Sequence, residues 1–383
     1  MRVSDSLIYD EGLLEDLESV SRGGLRDLLE HLTRPPSRFY LRVNGIKTSA
    51  EEVLQALAER GFQFHRDEQL PYAIWTDVEG PFRVSLLDKV VVADKRSAES
   101  VYLGSDLYGP GVLKADNVRA GDEVTVVTPE GLPVAEGVAV VDGSFMMRVK
   151  RGLAVRVTTS VYKTPKVREL PGFDEGLIYS QSLPSMWAVA LASPSPKEVI
   201  VDFNAAPGGK TSLAAQLAGR DSTIIAVDRD SKVEKLKANL QRLGADWVKV
   251  IGGDSRMASK LLGLEGKVDL VLIDPPCTNL GVIPKLYDAK SLLDAVTLAR
   301  YQRQFIAEAW RVLRPGGRLV YSTCTLTDVE NESNVIFATE LGFEVQRPSA
   351  MPRGASFNGL GVRFSPEDGH PGFFASIMVK PGG

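Results

Sequence analysis

Beyond about residue 175 the chain alternates short apolar runs with helix-period segments, which restricts its second half to a doubly wound, mostly parallel α/β sheet. EVIVDF (198–203) reads as a strand, AAPGGKT as a glycine-rich turn and SLAAQLAG as a helix. TIIAVDRD (223–230) is the next strand, followed by the helix SKVEKLKANLQRLG. VDLVLID (268–274) and RLVYST (318–323) are two further strands. The segment LARYQRQFIAEAWRVLRPGG between them is predicted to be a helix that ends at Pro315-Gly-Gly. Such sheets bind ligands in a crevice beyond the carboxyl ends of their strands, so strand-end residues carry the functional reading.

The chain has 383 residues, more than one typical domain needs. Its hydrophobic (44%) and charged (25%) fractions fit a globular protein with a packed core. The first thirty residues hold no signal-like apolar run, and no stretch approaches the ~18 uninterrupted apolar residues of a membrane span. Two cysteines 47 residues apart make no disulfide framework, and free thiols point to a reducing, cytoplasmic setting. His31, His65 and His370 are scattered far from either cysteine, so no metal site is expected.

Residues 1–85 read as a small α+β unit. RFYLRVNGI (38–46) alternates like a strand, and TSAEEVLQALAERG (48–61) is a helix with Ser49 as N-cap and Glu52 three residues on. Residues 86–162 change character: VVVAD, DEVTVV, GVAVV and LAVRVTT are short β-branched runs punctuated by turn residues, the mark of a compact β-barrel-like module. KTPKVRELPGF (163–173) then leads into the α/β unit, 163–383. The net charge of −4 taken alone argues against a nucleic-acid partner. Phe145 to Arg168, however, carries seven Lys/Arg and no acid, with Phe145, Val155 and Tyr162 interleaved. A run of this kind is either a solvated face or a track for a phosphate backbone.

The segment ADKRSAESVYLGSDLYGPGVLKADNVRAGDEV resembles a PUA domain, a small RNA-binding pseudo-barrel of RNA-modifying enzymes. In such domains the helix and the Gly-Pro-Gly turn line the RNA surface. The resemblance implies Lys95, Arg96, Tyr108 and Gly109 as RNA contacts, and the basic strip adds Arg148, Lys150, Arg151 and Lys163.

NAAPGGKT (204–211) lies between a strand and a helix but lacks both the GxGxxG and the GxxxxGK[ST] spacing. Asn204, Ala205, Ala206, Pro207, Gly208, Gly209 and Lys210 therefore form a close-approach loop without the usual phosphate cradle. Asp228, with Arg229 beside it, closes the second strand where a carboxylate takes ribose hydroxyls. Asp254 follows the third strand in VIGGDSRM, placed to meet an adenine amino group, and Asp274 ends the fourth. Three acids at successive strand ends, with no phosphate to bind, suit S-adenosylmethionine better than NAD or ATP.

DPPC (274–277) then selects a reaction. Amino-group methyltransferases resemble [DN]PP[YF], whose aromatic ring stacks on the base; Cys277 cannot stack. A cysteine suits methylation at a pyrimidine carbon, since carbon 5 of cytosine becomes nucleophilic only after a thiolate adds to carbon 6. YSTCT (321–325) supplies a second strand-end thiol, Cys324.

Taken with RVNGIKTS, Gln181 in IYSQS, AVDRD, the GD of GGDSRM, the trailing Glu-Asn-Glu and GFFAS, these motifs resemble RNA cytosine-5 methyltransferases of the Nop/Sun type. The resemblance covers nearly the whole chain, with the PUA-like segment as an insertion. It implies an α/β, Rossmann-like class I methyltransferase core beside the two smaller units. It also implies Cys324 as the attacking nucleophile and Cys277 as the thiol that assists product release. Asp274 would bond the cytosine edge, and Lys210 would bond the base or favour the thiolate. The chain departs from the family at Asn204, where Cys is usual, and at Thr278-Asn279, where Ser-Gly is common.

Family members with this insertion act on the cytosine at tRNA position 72, so the expected partners are a tRNA acceptor stem and its CCA end, bound by a monomer. The alternatives are an rRNA cytosine-5 methyltransferase and a non-catalytic RNA-binding assembly factor. A thiol–disulfide oxidoreductase is disfavoured because the chain has no Cys-x-x-Cys.

Overall fold

The computed structural model describes residues 6–148 and 151–382. Among them, the second half is built on a nine-stranded sheet. Lys249–Gly252, Thr223–Asp228, Val199–Asp202, Val268–Ile273 and Leu313–Thr323 lie side by side in that order and run parallel. Phe373–Val379, Val362–Phe364 and Ala355–Phe357 extend the sheet antiparallel. Both faces are covered. Ile200, Leu270, Leu272 and Val320 pack against the helices Leu183–Ala190 and Gly209–Ala218. Val201, Val271, Ile273 and Leu319 pack against Phe305, Ile306 and Ala309 of the helix Leu292–Val312. Burial on two faces is why these strands read as continuous apolar runs. The strand order turns back between Val199–Asp202 and Val268–Ile273, which opens the ligand crevice of a Rossmann-like core at that point.

One boundary differs from expectation. The long helix starts earlier, at Leu292, where Ser291 and Asp294 form a capping box, and it stops at Val312. Arg314-Pro-Gly-Gly is the entry of the strand Leu313–Thr323 rather than the helix terminus. Leu313 already pairs with Val268, and the Gly316 amide donates to the Lys380 carbonyl (2.7 Å), so sheet contacts outcompete another helical turn.

In the first unit, Arg38–Val43 pairs with Ala73–Asp77 and Ala50–Glu59 forms the helix, with the Ser49/Glu52 capping box in place. The other edge of Arg38–Val43 pairs with Ile178–Ser180, from the second half of the chain. Two helices not foreseen from the sequence, Glu11–Val20 and Leu25–Leu32, pack Leu13, Leu17 and Leu28 against Leu280, Ile283 and Leu326 of the core. The RVNGIK motif then fastens the junction. Asn44, buried, donates through Nδ2 to the carbonyls of Gly176 and Leu243 (2.7 Å each), and Lys47 Nζ reaches the carbonyls of Glu175 (2.8 Å) and Arg242 (2.6 Å).

The inserted segment is a six-stranded sheet enclosing Val91, Val124, Val126, Val134 and Val155, with the helix Lys95–Tyr102 capped by Asp94. Val155 thus belongs to the core of this module and does not interleave with the basic strip, whereas Phe145 is exposed.

Asn44→Ala strands two buried carbonyls, and we expect it to lower unfolding stability by about 2–4 kcal/mol. Denaturant melts measure this, and a change under about 0.5 kcal/mol would show that the junction does not depend on Asn44.

Candidate active site

The glycine loop leaves Asp202 and re-enters helix at Gly209–Ala218. Gly208 sits at φ +105°, a conformation that L side chains rarely adopt, and an added Cβ would lie 3.1 Å from Leu236 Cδ1. Asp228 braces the loop: its Oδ2 accepts from the Ala206 amide (2.9 Å) and its Oδ1 from the Arg229 amide (2.8 Å). A cleft of about 540 Å³ opens beyond these strand ends. Asn204, Ala206, Asp228, Arg229, Asp254, Asp274 and Cys324 line it together with Tyr301 and Phe305, which sequence reading did not single out. Asp254 has a partner that the sequence reading did not name. Its carboxylate is held by Arg256 (Nε to Oδ1 2.9 Å and to Oδ2 3.0 Å), which keeps its pKa below the usual range. Ala205, Pro207, Gly209 and Lys210 border a second, smaller cavity of about 230 Å³ on the other side of the loop.

The two thiols meet. Val268–Ile273 and Leu313–Thr323 run parallel with Ile273 opposite Tyr321, so Cys277 and Cys324 emerge from adjacent strand ends with Sγ atoms 3.3 Å apart. Asn279 Oδ1 accepts from both, at 3.4 Å from Cys277 Sγ and 2.9 Å from Cys324 Sγ. The hydrogen bond to Cys324 and burial push the Cys277 thiol well above its ordinary pKa, while Cys324 is partly open to solvent. Lys210 Nζ pairs with Asp274 Oδ2 at 2.6 Å. Burial alone would lower the Lys210 pKa, but Asp274, and beyond it Cys324 and Asp202, hold it above its ordinary value.

A buried polar knot ties the two thiol loops together. Glu330, fully buried, accepts from the Thr278 amide (3.0 Å), Gln302 Nε2 (2.9 Å) and Thr327 Oγ1 (3.0 Å), and Gln302 Nε2 also reaches the Pro276 carbonyl (2.9 Å). The trailing Glu-Asn-Glu was legible as a motif in the sequence, but its partner Thr278 was not.

The expected RNA contacts divide. Arg96 and Tyr108 line a groove of about 500 Å³ beside Phe39 and Arg168. Lys95 is not among its lining residues: its ammonium, on a half-buried side chain, pairs with the buried Asp288 Oδ1 (2.8 Å) of the core. Gly109 is buried, its amide being bonded to the Gly152 carbonyl (3.0 Å). Arg148, Arg151 and Lys163 are exposed, and Lys150 lies outside the described residues. Among the described residues, no group of three or more His, Cys, Asp or Glu could hold a metal ion, and no helix is long and apolar enough to cross a membrane.

Asp202 sets a pH dependence. Burial raises its pKa to about 6, against the opposing hydrogen bond from Thr211 and the charge of Lys210. Between about pH 4, where an unfolded Asp titrates, and pH 6 the folded state holds a proton that the unfolded chain has lost. This group's contribution to stability should therefore fall as pH rises through that window and level off above it. Asp202→Asn should remove that component in a pH series of denaturant melts; an unchanged pH profile would mean that Asp202 is ionised throughout.

Comparison with known proteins agrees with this geometry. The family model described as 16S rRNA methyltransferase RsmB/F matches residues 188–376, and the PUA domain model matches 89–161. A tRNA (cytosine(72)-C(5))-methyltransferase from Pyrococcus horikoshii is 44% identical over 84% of this chain and 83% of its own length. The human tRNA (cytosine(72)-C(5))-methyltransferase NSUN6 is 29% identical over 81% of this chain and 74% of its own. The crystal structure of NSun6 from Pyrococcus horikoshii with SFG superposes with a TM-score of 0.89 at 39% identity, covering 98% of this chain and 99% of that one. S-adenosylmethionine is the family's cofactor, and the acid-lined cleft against a phosphate-free glycine loop fits it. A strand-end thiol pair, a cofactor cleft beside it and 44% identity over most of both chains place this protein in the S-adenosylmethionine-dependent RNA cytosine-5 methyltransferase family, with an inserted PUA domain.

Proposed function

We propose that this protein methylates carbon 5 of the cytosine at position 72 of tRNA, at the top of the acceptor stem. The observation that carries the chemistry is the pair of sulfurs 3.3 Å apart beside Lys210 and Asp274. S-adenosylmethionine, when bound, supplies an electrophilic methyl group. Cys324, the more open of the two thiols, adds as thiolate to carbon 6 of the ring, and the Lys210 ammonium favours that charge. Asp274 bonds the cytosine edge and supports ring protonation during attack, which leaves carbon 5 nucleophilic. After methylation a base takes the carbon 5 proton, the electron pair left behind re-forms the carbon 5–carbon 6 double bond, and the carbon 6–sulfur bond breaks with its electron pair leaving on the Cys324 sulfur. Cys277, held as a thiol by its contact with Cys324 and by burial, assists this release.

The choice of tRNA rests on the similarity to the two tRNA enzymes, which spans the inserted domain. The rRNA relative from Vibrio cholerae is 34% identical but matches only 56% of this chain. In this reading residues 1–85 and 86–162 hold the RNA while 163–383 carry the chemistry. The groove by Arg96, Tyr108 and Arg168 and the exposed Arg148, Arg151 and Lys163 would grip the CCA end and nearby backbone. A base inside a duplex is out of reach of a thiol, and a terminal pair is the cheapest to open. A cytoplasmic monomer suffices for this arrangement.

Cys324→Ala should abolish turnover and any covalent RNA adduct, whereas Cys277→Ala should accumulate protein bound to RNA on a denaturing gel. Trapping by Cys324→Ala would reverse the two roles. Deproteinised tRNA carrying cytosine 72 should yield 5-methylcytosine there, and tRNA carrying uracil 72 should not. Product on small-subunit rRNA but not on tRNA would sink the tRNA assignment. Affinity for tRNA should fall steeply between 50 and 200 mM salt, roughly tenfold or more.

A further inference from the structure

Arg42 is fully buried, yet none of its hydrogen bonds goes to a carboxylate. Nη1 donates to Gln181 Oε1 (2.9 Å) and to the Gly209 carbonyl (2.7 Å), Nη2 donates to Ser212 Oγ (2.7 Å), and Nε has no partner among the described residues. The guanidinium comes from the small N-terminal sheet and enters the methyltransferase core beneath the first turn of the helix after the glycine loop. A buried cation without a counterion is costly and wants an anion nearby.

The smaller cavity beside the loop is where such an anion would sit. Gln181, Ser182, Ser185, Asp202, Asn204 and Lys210 are among its lining residues, and the Lys210 ammonium is already paired with Asp274 (2.6 Å). Because Arg42 occupies the Gln181 carbonyl oxygen, the Gln181 amide must present its NH₂, which otherwise meets only Ser185 Oγ at 3.2 Å. Asp202 Oδ1 and Asn204 Oδ1 are buried acceptors without a partner among the described residues. Donors with a positive field and unmatched acceptors in one cavity complement an α-amino acid: carboxylate toward Gln181, ammonium toward Asp202 and Asn204. The cavity shares Asn204, Ala206 and Asp274 with the strand-end cleft, so a single ligand can lie across both.

We infer that Arg42 is a positioning residue for the cofactor: it locks Gln181 with its NH₂ toward the small cavity, so that Gln181 takes the carboxylate of the cofactor's amino-acid end. The N-terminal unit is then part of the cofactor site and not only of the RNA surface. This rests on the reading of the large cleft as the adenosine site.

Two ligands separate the amino-acid end from the rest of the cofactor. S-adenosylhomocysteine carries it; 5′-methylthioadenosine lacks it. Calorimetry on the full chain should show Gln181→Glu weakening S-adenosylhomocysteine roughly tenfold or more while leaving 5′-methylthioadenosine within about twofold. Gln181→Glu keeps a partner for Arg42, so it tests the contact without emptying the junction. Arg42→Met should give the same selective loss, and Arg42→Lys should recover part of it. Equal weakening of both ligands, or of neither, would overturn the inference. If the unaltered protein binds neither ligand, it is the cofactor reading itself that fails.

Discussion

The parallel register that sets Ile273 beside Tyr321 is the constraint on which the reaction centre depends. Each strand end carries a cysteine a few residues on, and only this pairing brings sulfurs 47 residues apart to 3.3 Å. Hydrophobic burial on both sheet faces sets the register, since Val271 and Ile273 face one helical layer and Leu270 and Leu272 the other. Beyond the last ladder bond the backbone is no longer held by the sheet, and Glu330 takes over. One buried carboxylate binding Thr278, Gln302 and Thr327 fastens both thiol loops to the helix Leu292–Val312. A network satisfied in this way is rigid, which suits a site where a thiol must meet a base at bonding distance.

The three units are joined through the same small region. Ile178–Ser180 extends the N-terminal sheet immediately before Gln181, and Lys95 of the inserted module pairs with Asp288, thirteen positions after Pro275. The segment between the DPPC motif and Asp288 is therefore held by the N-terminal helices, through Leu280 and Ile283, and by the inserted domain. Two units from elsewhere in the chain thus pack on the segment that follows the DPPC motif.

Much of this was legible in the chain. The strand–helix alternation, the Ser49 capping box and the glycine loop follow from local periodicity and turn chemistry, and the structure places them as expected; the acids Asp228, Asp254 and Asp274 line one cleft. What the sequence did not show lies where tertiary contacts compete with local signals. Pro315-Gly-Gly reads as a helix stop, yet sheet pairing had ended the helix at Val312. Lys95 reads as a surface cation of a basic module, yet a buried carboxylate nearly two hundred residues away captures it. Asp254 reads as a strand-end acid placed to meet an adenine amino group, and its clamp by Arg256 has no signal in the sequence beyond proximity.

The sequence by itself pointed to the kind of chemistry: strand-end acids and a glycine loop without phosphate spacing suit S-adenosylmethionine, a strand-end cysteine suits methylation at a pyrimidine carbon, and the resemblance to the Nop/Sun type carried the assignment. It determined the fold class for a similar reason, since hydrophobic period and turn residues are local properties. The tertiary structure alone decided which groups share a pocket: Arg42 with Gln181, Glu330 with Thr278, Lys210 with Asp274. Those pairings join residues that lie 52 to 139 positions apart, and their geometry is set by how layers pack, which no local pattern encodes.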